Sequence, residues 1–296
     1  MTPNPKTRPE RIDAHHHVWK LARGDYAWLR PDHGALHRDH AYEELVPALD
    51  RAGIERTVLV QAAPTVSETH FLLGVARANP RVAGVVGWVD FESRTVAAEI
   101  EALSHEPALV GLRPMIHDLP SDTWMLRREL TDAFRAVSAR QLTFDALVRP
   151  QHLLHLRKLV ARHPELDVVI DHLAKPRIVA GGAKWDGFTT WAKHMKALAA
   201  ESRACVKLSG LVTEAEPGWT VADLRPCVEL VLEAFGTERV LWGSDWPVLT
   251  LACDYARWVA ATDELLVPLS ADARAAVLGG NAARFYRLGA KGRVTA

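Results

Sequence analysis

Two histidines near the start of the sequence, His15 and His17, are separated by one residue in a short run typical of a β-strand. Side chains alternate between the two faces of a strand, so we expect Asp13, His15 and His17 on one face, toward the interior of the fold. The opposite face then carries the rest of the run: Ile12, Ala14, His16 and Val18. Two imidazoles on one face can ligate one metal ion, and neutral imidazole suits Zn²⁺, iron or nickel. Because an isolated His-x-His is also common in polar loops, the pair indicates a site only in company with other reactive groups.

Polar residues also end several later apolar runs. By the same alternation, Arg113, Asp145 and Lys207 face the interior from their segments. His172 and Asp245 stand at the ends of two further segments. A buried charge is costly unless it pairs, coordinates a metal or meets a substrate. One such residue carries little information, whereas several that converge indicate a functional site.

Each of these residues also has a structural alternative. Asp245 is placed as a general base or a metal ligand, but an aspartate in such a turn often caps the next helix. His172 is either a reactive group or a buried histidine that is bonded to its neighbour. Arg113 and Lys207 either anchor a substrate or act as ion-pair partners of Asp145.

Eight short apolar segments alternate with longer helix-like segments. The predicted strands are Arg11–Val18, Thr57–Ala62, Val82–Asp90, Leu109–Ile116, Leu142–Val148, Asp167–Ala174, Ala204–Gly210 and Val240–Val248. The predicted helices are Tyr42–Ala52, Ser67–Asn79, Thr95–Ser104, Asp122–Arg140, Pro150–His163, Trp185–Glu201, Val221–Phe235, Cys253–Leu266 and Ser270–Tyr286. Strands that alternate with helices pair in parallel, and eight such units close more readily into a barrel than into an open sheet. The predicted fold is therefore α/β, a single (β/α)8 TIM-type barrel over residues 1–296, with residues 1–10 a flexible N-terminal segment.

The two longest irregular stretches directly follow predicted strands. They span Lys20–His40 and Lys175–Lys184. Loops that follow the strands of such a barrel lie at its C-terminal face, where active sites are found. Most of the other histidines fall in loops or on helix faces, and among them only His33, in the first of these loops, is expected near the site.

Composition excludes several classes of function. Lys plus Arg and Asp plus Glu both number 36, so no net charge favours nucleic acid or a membrane surface. Hydrophobic residues make up 48% of the chain, yet no apolar run approaches the ~20 residues of a transmembrane helix. The start of the chain has no signal-peptide pattern and the three cysteines have no metal-like spacing, which together favour a cytoplasmic protein. The sequence also contains no phosphate-binding loop, serine-hydrolase elbow or HExxH motif.

The motifs at these positions resemble those of the amidohydrolase-related family of metal-dependent hydrolases. The matching segments are Asp13-Ala14-His15-x-His17-x-Trp19, Val169–Pro176, Leu241–Pro247 and Gly279–Tyr286. Two further segments, Lys207–Glu214 and Gly218–Leu224, are similar to the sugar-lactonase branch of that family. The resemblance covers nearly the whole chain, and it implies a somewhat distorted barrel.

The resemblance also implies a mouth built from four residues: His15, His17, His172 and Asp245. In many relatives these positions hold one divalent metal, usually Zn²⁺, and some members of the lactonase branch work without tightly bound metal. Two-metal relatives carry a bridging lysine at the end of strand four, where this chain has Arg113, so a second ion is not expected. Lys207 cannot be a ligand while it is charged. His16 stands where relatives often carry glutamine, and by alternation it should point away from the site.

The implied reaction is the opening of a small sugar (aldono) lactone. Asp245 would take a proton from the attacking water and return it to the leaving alkoxide. His172, with His15 and His17 or a metal, would polarise the carbonyl. The residues expected to bind the substrate are Arg113, Lys207, Asp145 and Trp246, with Trp185 nearby.

Other functions remain open at this point. A dicarboxylate lactonase of the same superfamily should carry several arginines in the mouth, where only Arg113 is clearly inward. A non-oxidative decarboxylase should demand metal. A non-catalytic, ligand-binding barrel would have lost part of the four-residue set, which is complete here. We expect a small-molecule lactone as the ligand, with no nucleic-acid or membrane partner.

Overall fold

Eight parallel strands form a barrel in which each strand is hydrogen-bonded to the next in chain order. The computed structural model describes residues 10–289, so all but Glu10 of the segment expected to be flexible, residues 1–10, lies outside the described residues. The strands are β1 (Ile12–His16), β2 (Arg56–Val60), β3 (Val82–Gly87), β4 (Leu109–Leu112), β5 (Thr143–Ala146), β6 (Val168–Ile170), β7 (Cys205–Leu208) and β8 (Val240–Trp242). The predicted fold class is confirmed. The observed strands are shorter than predicted; Arg113, His172 and Asp245, for example, lie just beyond the ends of β4, β6 and β8.

Helices cover the outside of the barrel. They are α1 (Tyr42–Ala52), α2 (Val66–Ala78), α3 (Val96–Ser104), α4 (Thr131–Ala139), α5 (Leu153–Arg162), α6 (Phe188–Glu201), α7 (Val221–Phe235), α8 (Tyr255–Leu265), α9 (Ala271–Ala275) and α10 (Asn281–Phe285). Some of their starts are capped by a side chain; that of Asp254, for example, accepts a hydrogen bond from the amide of Arg257 at the start of α8. Between residues 10 and 289, no helix is both long and apolar enough to cross a bilayer.

One predicted helix, Asp122–Arg140, is largely irregular in its first half. Regular α-helix begins only at Thr131, after two short 3₁₀ turns. Arg127 between those turns is extended, with φ −63° and ψ 136°. The side chain of Glu92 accepts hydrogen bonds from the Trp124 indole at 2.6 Å and from the Arg127 guanidinium at 2.8 Å. These two long-range bonds favour the turns over a continuous helix.

Apolar side chains fill the lower interior of the barrel, the part nearest the amino ends of the strands, and form a plug there. Its members come from seven of the strands and from the last helix and its end: Ile12, Ala14, Val58, Val60, Val86, Val110, Val169, Cys205, Leu241, Ala282 and Tyr286. All strands run the same way, so residues further along each strand lie above this plug, toward the carboxyl ends. Asp171 follows Val169 by two positions, and Lys207 follows Cys205 in the same way. Alternation therefore places these two polar side chains directly above the apolar layer.

Closure of the barrel between β8 and β1 takes place just beyond the end of β8. The amide of Asp245 donates to the carbonyl of His15 at 2.7 Å, and the amide of His17 donates to the carbonyl of Trp246 at 2.7 Å. These bonds join residues more than 200 positions apart in the sequence. The closure thus brings the carboxylate of Asp245 beside the two imidazoles of β1.

Strand β1 departs from simple alternation. Its pairing register with β2 shifts between Asp13 and His16. The carboxylate of Asp13 accepts hydrogen bonds from the amide of Ser244 at 2.8 Å and from the hydroxyl of Tyr255, on α8, at 3.0 Å. The prediction that Asp13 shares a face with the two reactive histidines is therefore wrong, because the irregularity moves it to the helix side. His16 points away from the site as predicted, and its ring lies 5.7 Å from that of Tyr42 on α1.

A left-handed turn of four residues other than glycine follows β6. The φ angles of His172, Leu173, Ala174 and Lys175 are 53°, 51°, 60° and 52°. Such a conformation costs roughly 1–2 kcal/mol for each L-residue. Complete burial of Leu173 and Ala174 and a 2.8 Å hydrogen bond from the Trp191 indole to the carbonyl of Leu173 stabilise the turn. The turn directs the imidazole of His172 into the barrel mouth.

Replacing Ala174 with glycine tests this strain. Glycine adopts positive φ without penalty, and the relief of about 1–2 kcal/mol should offset the lost methyl group and the greater freedom of the unfolded chain. We expect Ala174→Gly to change the free energy of unfolding by less than about 0.5 kcal/mol. The control Ala146→Gly, equally buried but in β5, should lose about 1–2 kcal/mol. Equal losses in urea denaturation would contradict a strained turn.

Candidate active site

A cavity of about 320 Å³ opens at the carboxyl ends of the strands. Its walls include His17, Arg113, His172 and Asp245, which come from different strands and the turns that follow them. These residues are at most 4% exposed. Three of the four residues expected at the mouth, His17, His172 and Asp245, therefore line one cavity, whereas His15 is completely buried and does not line it.

The reactive atoms of three residues lie within bonding distance of a common point. The Nε2 atoms of His15 and His17 are 3.2 Å apart. Oδ1 of Asp245 lies 3.2 Å from Nε2 of His17 and 3.7 Å from Nε2 of His15. Nε2 of His172 lies 3.9 Å from the same carboxylate oxygen. All three imidazoles thus present Nε2 to Asp245.

The opposite nitrogen of each ring is held by a second partner. Nδ1 of His17 donates to the carbonyl of Val60 at 2.8 Å, because a carbonyl can only accept. When the ring is neutral, this leaves the lone pair on Nε2 available to a metal ion. Nδ1 of His172 lies 2.9 Å from the hydroxyl of Ser209. Such partners fix the orientation of a ligating or catalytic imidazole.

Gly210, next to Ser209, allows the end of β7 to approach His172. Its φ is 62°, and a Cβ atom at this position would lie 2.4 Å from Nδ1 of His172. Both the conformation and the space exclude other residues unless the imidazole moves. The close approach keeps the Ser209 hydroxyl on the histidine ring.

These distances fit a divalent metal. Zinc bound by nitrogen and oxygen at 2.0–2.1 Å in a tetrahedron separates its ligand atoms by ~3.4 Å. The distances among His15, His17 and Asp245 bracket that value at 3.2–3.7 Å. A second group, His15, Asp171 and His172, also has ligand atoms within 4.8 Å of one another. Two or three neutral imidazoles with a carboxylate are a donor set typical of Zn²⁺.

The protonation of the site follows from its burial. Burial lowers the pKa of His172 to about 3. Burial, together with the nearby Lys207 ammonium, holds the pKa of His15 well below its ordinary value. Burial alone would raise the pKa of Asp245, but the adjacent imidazoles, that of His172 first, outweigh it and lower the pKa of this carboxyl. At neutral pH, His15 and His172 are therefore neutral and Asp245 is ionised.

A network of buried charges supports the imidazoles from below. Nζ of Lys207 lies 2.6 Å from the carboxylate of Asp145, 2.9 Å from that of Asp171 and 3.1 Å from Nδ1 of His15. Arg113 donates to Asp171 at 3.2 Å. Burial would raise the pKa of Asp171, but Lys207, His15 and Arg113 lower it well below its ordinary value. No role was expected for Asp171 from the sequence, although its position two residues after Val169 marks it as inward-facing.

The residues expected to bind substrate lie at different depths, and only one of them lines the cavity. Arg113 lines the cavity, 3% exposed. Lys207 and Asp145 are completely buried and do not line it. The indole of Trp246 packs edge-on against His40 at 5.5 Å, outside the cavity wall. Trp185 likewise lies outside it.

The cavity wall also contains residues that the sequence analysis missed. His33 lies in the wall as anticipated, and the other members that the loops contribute include Trp28, His117, Arg149 and Lys175. Trp28 belongs to the Lys20–His40 loop and Lys175 begins the second long loop, so their positions after strands were the available signal. The direction of a side chain in a loop does not follow from alternation, which is why the residues themselves were not identified.

Known proteins match this chain over most of its length. The amidohydrolase family model matches residues 12–288. An L-fucono-1,5-lactonase from Burkholderia ambifaria is 44% identical over 285 residues, which cover 94% of this chain and 96% of the relative. The crystal structure of an amidohydrolase from Burkholderia multivorans with bound zinc has a TM-score of 0.87 and 34% identity, and the match covers 94% of this chain and 99% of that one. A probable 2-pyrone-4,6-dicarboxylic acid hydrolase from Acinetobacter baumannii, at 18% identity, TM-score 0.76 and coverage of 94% and 99%, shares the fold.

The matched region extends from the first residue of β1 to beyond α10. It therefore includes every residue of the barrel mouth. The resemblance predicted from the sequence motifs is confirmed. The chain belongs to the amidohydrolase family.

Proposed function

We propose that this protein is a hydrolase that opens the ring of a small sugar lactone, an aldonolactone. One observation carries the proposal: the Nε2 atoms of His15 and His17 and the carboxylate of Asp245 lie within 3.2–3.7 Å of one another beside a cavity of about 320 Å³. The 44% identity with an L-fucono-1,5-lactonase supports the same class of reaction. The 2-pyrone-4,6-dicarboxylic acid hydrolase, at 18% identity, supports only the fold.

We also propose that the site binds one Zn²⁺ ion, as its donor set and the zinc-bound relative indicate. His15, His17 and Asp245 would hold the ion, with His172 beside them. When bound, such an ion acts as a Lewis acid that polarises a carbonyl group.

Asp245 is the general base of the proposed reaction. Its ionised carboxylate accepts a proton from water, whose oxygen attacks the lactone carbonyl carbon. The bond between that carbon and the ring oxygen then breaks, and the protonated Asp245 returns its proton to the ring oxygen as it leaves. His172 is positioned by Ser209 at 2.9 Å to face the same reacting group.

The cavity wall suits a neutral, hydroxylated ring. Trp28 provides an apolar surface, and its indole is fixed by a 2.7 Å hydrogen bond to the carbonyl of Ala62. The Lys175 ammonium is paired with Glu214 at 2.8 Å and Arg113 with Asp171 at 3.2 Å. These two cations are already charge-balanced, so they can donate hydrogen bonds to hydroxyl groups without an anionic substrate; Arg149 is the third cation of this wall.

We propose a positioning role, in place of direct substrate contact, for Lys207 and Asp145. Both are completely buried. Lys207 contacts Nδ1 of His15 at 3.1 Å, on the side of the ring opposite the reacting group. Through this contact the ion pair holds the imidazole in place.

We further propose that the enzyme works in the cytoplasm. Cys205, Cys227 and Cys253 are all free thiols in the described structure. Unpaired cysteines are typical of proteins kept in a reducing compartment.

Removing the proposed base should abolish most of the activity. Asp245→Asn keeps the shape of the side chain but cannot accept the proton, so kcat for lactone hydrolysis should fall by about 100-fold or more. A pH-indicator assay with a panel of aldonolactones, corrected for spontaneous opening, measures the effect. The control Asp186→Asn, at an exposed position, should leave kcat unchanged. A near-normal kcat for Asp245→Asn would remove this residue from the role.

Removing the buried ammonium of Lys207 should lower the free energy of unfolding, because this group does not contact the substrate in the proposed role. Lys207→Met leaves Asp145 and Asp171 without their principal cation, so the free energy of unfolding should fall by about 3–5 kcal/mol. The exposed control Lys193→Met should change it by less than about 0.5 kcal/mol. Urea denaturation provides the measurement. Full stability of Lys207→Met combined with a raised KM would instead show direct substrate contact.

A further inference from the structure

A second cavity, of about 480 Å³, adjoins the one beside Asp245. The two cavities share three wall residues: Trp28, Met115 and Asp118. We infer that the second cavity binds a second sugar ring, so that the substrate class extends to aldonolactones that carry a glycosyl substituent. This inference rests on the proposed lactonase function, and it adds a binding site that the hydrolytic chemistry itself does not require.

The second cavity is walled by large aromatic side chains. Trp28, Trp88, Phe91 and Trp124 all contribute to it. Two of the indoles are fixed by their N–H groups: that of Trp28 donates to the carbonyl of Ala62 at 2.7 Å and that of Trp124 donates to Glu92 at 2.6 Å. Rigid aromatic surfaces suit the apolar faces of a sugar ring, which present C–H groups.

The charged residues of this wall are all carboxylates. They are Asp25, Asp90, Glu92 and Asp118, and no Lys or Arg lines this cavity within residues 10–289. The wall of the first cavity differs, because it contains Arg113, Arg149 and Lys175 as well as the carboxylates of Asp118 and Asp245. An anionic group is therefore disfavoured in the second cavity, whereas hydroxyl groups find acceptors there.

One of these carboxylates has an oxygen that lacks a partner. Oδ2 of Asp25 accepts hydrogen bonds from Arg23 at 2.7 Å and from the hydroxyl of Thr65 at 2.9 Å. Oδ1 of Asp25 is buried and, among the described residues, has no hydrogen-bond partner. Buried polar atoms are rarely left unsatisfied. Because this oxygen is closed to solvent, a hydroxyl group of a ligand in the second cavity would reach it only after a local movement of the wall.

The shared wall determines how such a substrate would lie. The lactone ring occupies the first cavity, with its carbonyl toward Asp245, and the glycosyl group extends past Trp28 into the second. Ligand sites commonly enclose roughly 300–1,000 Å³, so cavities of about 320 and 480 Å³ are each large enough for one ring.

The test compares one aldonolactone with its glycosylated derivatives. The parent is the aldonolactone that the enzyme opens fastest, and the probes are its mono-O-glycosyl forms, one for each free hydroxyl group. Ala27→Trp fills the second cavity from an exposed position that does not line the first. Ala22→Trp, also exposed but in neither wall, is the matched control. Activity on the parent lactone reports whether each variant is folded.

We expect the wild type and Ala22→Trp to hydrolyse at least one glycosylated lactone. Ala27→Trp should lose about 10-fold or more in kcat/KM on that substrate while it changes by less than about 2-fold on the parent. A wild type that opens the parent but no glycosylated form overturns the inference and leaves the proposed function standing. Equal losses on both substrates in Ala27→Trp also overturn it. A wild type that opens no lactone at all overturns the proposed function itself.

Discussion

The buried ion pairs between Lys207 and the carboxylates of Asp145 and Asp171 are the constraint on which the rest of the site depends. Charges with no exposure to solvent are tolerated only when they are fully paired. Here the ammonium bridges β5, β7 and the end of β6, and it also contacts His15 on β1 at 3.1 Å. One interaction therefore joins four parts of the barrel wall. It orients an imidazole whose other nitrogen faces the reacting group.

The strands and the loops contribute different parts of the site. The strands and the tight turns after them provide the reactive groups, because barrel closure and the left-handed turn fix Asp245 and His172 to within the distances that bonds require. The loops provide the walls, including Trp28 and Lys175. This division is typical of the fold, in which loop variation changes the substrate while the barrel retains the chemistry. Because the loops are separate from the reactive groups, aromatic and acidic loop residues can enlarge the site without moving His172 or Asp245.

The sequence alone was sufficient to predict the barrel and the convergence of His15, His17, His172 and Asp245. Alternation along a strand identifies the inward face, and it placed Lys207 correctly inside the barrel. Alternation does not reveal how deep a side chain lies in the barrel. For this reason Lys207 was expected to contact the substrate, although it lies beneath the floor of the cavity. Alternation also fails where a strand is irregular, as at Asp13, where the register shift in β1 reverses the faces. Loop side chains such as Trp28 follow no period, so only their location could be anticipated.

The most direct test of the central claim is the crystal structure of Asp245→Asn with an aldonolactone bound. The account predicts that the lactone ring lies in the cavity of about 320 Å³. Its carbonyl oxygen should face the Nε2 atoms of the three histidines, and its carbonyl carbon should lie next to position 245. A lactone bound elsewhere, or one whose carbonyl points away from these imidazoles, would contradict the account.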